Sequence, residues 1–288
     1  MQNSMNAKMP QRLCGSHGYR FDGDYVHLNA DVMFSEMDVE RQGVWSLQLW
    51  ANRAGFPDGK LAGVKVADLA LQPQAGWVSA AGCSLASPPA GSDPQILGMA
   101  LVTSEADGTI QVQDLAVFSG AETFLQPRIQ GEPACRWTGD DIQIRIDAIA
   151  NPRPFGTCSG SLVLELWALD APYLCGGWQG KLLASAALAS LSGGDACAGV
   201  DVQWAAAKSD APLTLMLREW SPAGFVTRDF RNLAMTVSTG SAPDQVVTAS
   251  LQTPVPMRRK PTPELKKQIP AKKKSKKSGH KLAASKRH

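Results

Sequence analysis

Trp45-Ser-Leu-Gln-Leu-Trp-Ala51 and Leu162-Val-Leu-Glu-Leu-Trp-Ala168 are one pattern written twice in the same chain. In each, three large apolar side chains recur at every second position, and a Trp then breaks the alternation. The echo spreads outward from this pair. Gly59-Lys-Leu61 answers Gly180-Lys-Leu182, and Val66-x-x-Leu69 answers Leu188-x-x-Leu191. Leu101 followed by Gly108-Thr-Ile110 answers Leu217 followed by Gly224-Phe-Val226, and upstream Val26-His-Leu28 answers Ile142-Gln-Ile144. The offset stays near 116 residues over a span of about 95, which reads as one folded module, duplicated. Two domains also suit a chain of 288 residues.

Within each copy the dominant signal is period-2 alternation in short runs bounded by Gly, Pro, Asp and Ser. Val26, Leu28 and Ala30 alternate with polar neighbours, as do Ile142, Ile144 and Ile146, and Leu213, Leu215 and Leu217. Such runs are half-buried strands. Glu105-Ala-Asp-Gly108 and Ser221-Pro-Ala-Gly224 supply hairpin turns at corresponding places. The stretch around 184–189 is helix-compatible in isolation, but its Val-rich counterpart at 63–68 favours strand for both. The expected fold is all-β: two tandem, duplicated antiparallel β-sandwich modules, immunoglobulin-like in architecture, with a disordered basic C-terminal tail. The expected boundaries are a polar arm over 1–22, module one over 23–127, module two over 131–239, and linker plus tail over 240–288.

The net charge of +3 conceals a division. Residues 257–288 carry 13 Lys plus Arg against one Glu, leaving 16 Lys plus Arg and 25 Asp plus Glu in the rest. An acidic body with a strongly basic end points to a polyanion as partner. The cations are Arg258, Arg259, Lys260, Lys266, Lys267, Lys272, Lys273, Lys274, Lys276, Lys277, Lys281, Lys286 and Arg287. They are interleaved with prolines and include no aromatic residue, so contact with nucleic acid would run through phosphates and be blind to sequence.

No apolar run has the length of a membrane span, and no export signal is legible, so the expected location is cytoplasmic. The six cysteines are then reduced thiols, with Cys83 and Cys197 expected at matching, buried positions. Enzyme chemistry is not expected. Only His17 and His27 lie outside the tail, whereas acid–base and nucleophilic mechanisms lean on His. Gly156-Thr-Cys158-Ser-Gly160 has the form of a nucleophile elbow but leads into a strand rather than a helix. Gly176-Gly-Trp-Gln-Gly-Lys181 lacks the spacing and the Ser or Thr of a phosphate-binding loop. Asp22-Gly-Asp24 and Gly139-Asp-Asp141 read as turn residues before metal ligands, and no cofactor or metal is expected.

Two features point to an interface. Trp50 and Trp167 fall on the polar side of their strands, beside Gln48 and Glu165. The hairpin near the end of module two concentrates Arg218, Trp220 and Arg228. Cross-strand pairing explains such residues, and so does a docking surface, since Trp and Arg are favoured anchors. The sequence therefore points to a non-enzymatic binding or scaffolding protein whose Lys-rich tail contacts a polyanion, most readily nucleic acid. The alternatives are an accessory subunit of an enzyme complex, docking through the Trp-bearing faces, and a pair of carbohydrate-binding modules using the same tryptophans.

Overall fold

The computed structural model describes residues 11–41, 43–206 and 209–233. Module one contains β1 (Leu13–Asp22), β2 (Tyr25–Phe34), the single-turn helix α1 (Glu36–Glu40), β3 (Val44–Asn52), β4 (Val64–Leu71), β5 (Gly76–Leu85), β6 (Gln95–Ser104) and β7 (Ile110–Glu122). Module two contains β8 (Arg128–Gln130), β9 (Ala134–Thr138), β10 (Asp141–Ala150), β11 (Leu162–Leu169), β12 (Gly180–Leu188), β13 (Ala196–Ala205), β14 (Leu213–Ser221) and β15 (Gly224–Leu233). In module one a sheet of order β1-β2-β5 packs on a sheet of order β4-β3-β6-β7. In module two the order is β13-β10-β8, with β9 also on β10, packed on β12-β11-β14-β15. The pairings within these sheets are antiparallel. The chain is all-β, two sandwiches in tandem, as the alternation predicts.

The alternating residues build the cores. Val26 and Leu28 of β2 meet Leu47 and Leu49 of β3 and Leu97, Met99 and Leu101 of β6, and Phe34 lies edge-on to Trp45 at 5.1 Å. In module two Ile142, Ile144 and Ile146 meet Leu162, Leu164, Leu166, Leu213, Leu215 and Leu217. Full burial of a Leu or Ile is worth roughly 1.5–3 kcal/mol, so these two clusters are the main stabilising term.

Register fixes the internal correspondence. Trp50 pairs with Gly98 and Trp167 with Thr214, which sets Leu101 on Leu217. Gly108 and Gly224 occupy the same hairpin with φ of 85° and 89°, a backbone region that favours glycine. Two of the sequence matches were misaligned. Trp50 faces Lys65 and Trp167 faces Leu182, so Val64 answers Lys181 and Gly63, not Gly59, answers Gly180. The reason is steric: a Cβ on either Gly63 or Gly180 would strike a β3 or β11 carbonyl, Ala51 O or Ala168 O. Likewise Leu71, not Val66, is the partner position of Leu188.

Three further expectations are corrected. The polar arm is not wholly an arm, because Leu13–Asp22 is an edge strand on β2. Its end is pinned: Asp114 accepts from the backbone N–H groups of Arg12 and Leu13, and Arg12 bonds Asp38 on α1. Burial alone would raise the Asp38 pKa, but Arg12 and the Ser35 cap hold it below the usual carboxylate range. In module two this strand is divided into β8 and β9, since Gly131 turns with φ of 74° and Pro133 has no N–H to give the ladder. Residues 128–130, expected between modules, thus belong to the second sandwich. Finally, Cys83 and Cys197 are exposed and do not correspond: Tyr25 pairs Leu85 and Asp141 pairs Ala205, which puts Cys83 level with Gln203 and Cys197 level with Trp77.

Both modules belong to one compact unit. Among the described residues no helix is long and apolar enough to cross a membrane. The segment 240–288, with all thirteen of its cationic residues, lies outside the described residues.

Candidate functional site: the groove between the modules

The site begins with the two anomalous tryptophans. A bulge separates Leu49 from Trp50 in the pairing with β4, and Leu166 from Trp167 in the pairing with β12. The extra residue lies in β4 and β12, so β3 and β11 keep their alternation, and Ala51 and Ala168 still face the cores. Both indoles therefore stay on the outer face, half-buried. Each is anchored by the residue two positions earlier: Trp50 Nε1 donates to Gln48 Oε1 at 2.9 Å and Trp167 Nε1 to Glu165 Oε2 at 2.8 Å.

Around these anchors the two copies diverge. In module one Gln48 Nε2 donates to Asp68, which also takes Lys65 at 2.8 Å. In module two Glu165 is paired with Arg218 at 3.1 Å, and Trp178 lies edge-on to Trp167 with centroids 4.4 Å apart. Beside them Leu169, Tyr173 and Met216 form a small buried cluster with Ala90, a loop residue of module one. Burial pushes the Tyr173 hydroxyl up to about 12. Cys175, with φ of 66°, donates its thiol to Ala90 O at 3.3 Å, and burial raises its pKa as well.

A buried charge cluster locks this junction. Arg228, 3% exposed, pairs with Glu219 of β14 and, at 2.8 Å, with Asp24 in the β1–β2 turn. Arg153 holds the other side of Glu219, and Gly160 N–H donates to it at 2.9 Å. Burial by itself would raise the Glu219 pKa, yet Arg153 and Arg228 hold it below the usual range. The backbone adds Gly91 N–H to Arg228 O at 2.8 Å. Next to it, Asp229 accepts from Ile129 N–H at 2.7 Å, and burial raises its pKa.

The result is an open groove of about 420 Å³ lined by both modules. Trp50, Val64 and Lys65 come from module one, and Tyr173, Cys175, Trp178, Arg218 and Phe225 from module two. Its lining contains aromatic rings and two cations but no carboxylate, although Asp68 and Glu165 stand directly behind the cations. Its size falls in the range of ligand clefts. At its rim Trp220, 57% exposed, stands edge-on to Phe225 at 5.1 Å.

Of the sequence candidates, Trp50 and Arg218 line the groove. Trp167 sits behind Trp178, Trp220 is an exposed ring at the rim, and Arg228 is consumed by the internal clamp. The aspartates before β2 and β10 are hairpin residues, and Asp24 serves Arg228. Trp178, Tyr173 and Arg153 are not among the interface candidates read from sequence. They lie on loops or in strands of ordinary polarity, and only the meeting of the two modules gives them a common site. No protein-family model and no curated protein matches the chain.

Proposed function

We propose that this chain is a non-enzymatic binding or scaffolding protein of the cytoplasm. Its two sandwiches form the body, and its Lys-rich end contacts a polyanion, most readily nucleic acid without sequence preference. The observation that carries this reading is the charge division: 13 cations against one Glu in residues 257–288, beside an acidic remainder. Phosphate contact by Lys and Arg releases counterions and yields affinity without base readout. The absence of aromatic residues there removes stacking as a source of specificity. The histidines of the body support a non-catalytic role: His17 packs on Phe118, and His27 stands on a sheet surface beside Asp22. The test is purification of the full chain at low salt. Nucleic acid that co-elutes, raises the 260/280 nm ratio and is removed by high salt is the expected result. Protein free of nucleic acid at low salt, with no gel shift of added DNA or RNA, contradicts the proposal.

A second reading is favoured by the groove and its rim. Trp50, Trp178, Trp220 and Phe225 offer aromatic surface of the kind that anchors partner proteins. On this reading the chain is an accessory subunit, and a salt-resistant stoichiometric partner would co-purify with it.

A further inference from the structure

The two copies treat the same sheet edge in opposite ways. In each sandwich one edge strand, β4 or β12, stands at a corner beside an edge strand of the other sheet, β5 or β13. In module one this corner is closed. Leu69 of β4 presses on Gly82 of β5, where a Cβ would collide with it. Ser84 Oγ donates to Asp68 O at 2.9 Å, and Ser87 N–H donates to Val66 O at 2.7 Å. Lys65 and Asp68 add an ion pair at 2.8 Å. Register gives the counterparts in module two: Leu182 for Lys65, Ser185 for Asp68, Ala186 for Leu69, Val202 for Gly82 and Trp204 for Ser84. Both charges and the close packing are lost, and among the described residues no hydrogen bond joins Ala184–Leu188 to β13. We infer that β12 pairs, antiparallel, with β12 of a second copy of this chain, joining two sheets into one continuous sheet.

The chemistry is that of an unprotected edge. An edge strand turns alternate N–H and C=O groups away from its neighbour, a row that another strand can satisfy. Charged side chains, Lys above all, blunt such rows. The other outer strands carry them: Arg20 on β1, Lys65 on β4, Asp114 on β7, Arg136 on β9, Asp201 on β13 and Arg231 on β15. β5 carries none, but β4 closes against it. β12 has a charge only at Lys181, near its start, and none over Leu182–Leu188, and Leu182 is 42% exposed. Among the described strands, β12 alone is an edge that is neither charged along its middle nor joined to its neighbour at the corner.

The segment also suits itself as a partner. A two-fold axis near Ala186 sets Ser185 beside Ala187 of the partner subunit and Ala184 beside Leu188 of the partner subunit. Ala184 and Leu188 face the core whereas Ser185 and Ala187 are exposed, so inner residues meet inner ones and outer meet outer. No like charges meet, because the two Lys181 side chains fall at opposite ends of the pair. Such a contact is self-complementary and closes at two copies. The bulge at Leu183 ends the regular ladder, which keeps the pairing short. An interface of that size belongs to the weak, exchanging class, with a dissociation constant on the order of 10 µM.

The test is sedimentation velocity of the full chain from about 1 to about 100 µM in about 0.5 M salt, which screens contacts between cationic and acidic parts of different copies. The inference expects a monomer that becomes a dimer across this range. The full chain carrying Ser185→Lys and Ala187→Lys sets like charges against each other across the two-fold, and its dissociation constant should rise about tenfold or more. Both positions are exposed, and Ser185 lies opposite Glu165, so the fold should tolerate the change. Val117→Lys, which alters an exposed apolar residue on β7 in the same way, should leave the dimer unchanged. Amide exchange of the wild type gives a reading that needs no variant: protection within Ala184–Leu188 should increase with concentration. A chain that stays monomeric, a dimer that forms only at low salt, a double variant that dimerises like the wild type, or protection that does not change in β12 would each overturn the inference. High salt also strips bound nucleic acid, so failure here leaves the polyanion proposal standing on its own test.

Discussion

At the scale of single residues, the clamp between the modules is where one side chain matters most. Arg228 and Glu219 have side chains only 4% and 3% exposed, and each satisfies the other. Removing one member of a buried, hydrogen-bonded pair leaves an uncompensated charge and costs about 3–5 kcal/mol. Glu219→Ala, which strips Arg153 and Arg228 of the carboxylate they share, should therefore lower unfolding stability by that amount in urea melts. Arg145→Ala, which removes a mostly exposed pair with Asp201, should cost less than about 1 kcal/mol. The pH dependence follows from the same cluster. Glu219 is held below its ordinary 4.5, so on acidification the unfolded chain takes up that proton first. Its contribution is present above 4.5 and is lost as pH falls through the depressed value. Asp229 acts in the opposite sense: burial raises its pKa, so its contribution weakens as pH rises from 3.8 through the raised value. The urea midpoint of the wild type should fall between about pH 5 and about pH 3, and the fall should be shallower in Glu219→Gln. Equal slopes would remove Glu219 as the source.

At the scale of elements, the glycines separate two kinds of constraint. Gly108 and Gly224 have positive φ and open space around the position of a Cβ, so Gly→Ala there should cost about 1–2 kcal/mol from backbone strain alone. Gly63 has φ of 110° and a carbonyl in the way as well, so Gly63→Ala should cost more than either in chemical denaturation. The strands were largely legible because alternation such as Ile142, Ile144 and Ile146 records burial directly. Register was less so. Gly59-Lys-Leu61 resembles Gly180-Lys-Leu182 in letters, while the carbonyl behind Gly63 makes it the true counterpart. β1 was missed because its exposed edge carries Gly15, Ser16, His17 and Gly18, which dilute the apolar period.

At the scale of the whole molecule, the groove was not legible, because it exists only where two distant stretches meet. Trp50 stood out as an anomaly, but its neighbours Tyr173 and Trp178 lie more than a hundred residues away, and nothing local marks them. The charge division, by contrast, is entirely a property of sequence, and it carries the central claim that the C-terminal cations bind a polyanion. The most direct measurement is the affinity of the full chain for duplex DNA at several salt concentrations, compared with a full-length variant in which Lys272, Lys273, Lys274, Lys276 and Lys277 are Gln. If roughly half of the 13 cations neutralise phosphates, log K against log salt should have a slope of about −5 to −6, little changed by DNA sequence. The variant should lose several units of that slope while melting like the wild type. Affinity that is insensitive to salt, or a variant that binds with an unchanged slope, would contradict the account.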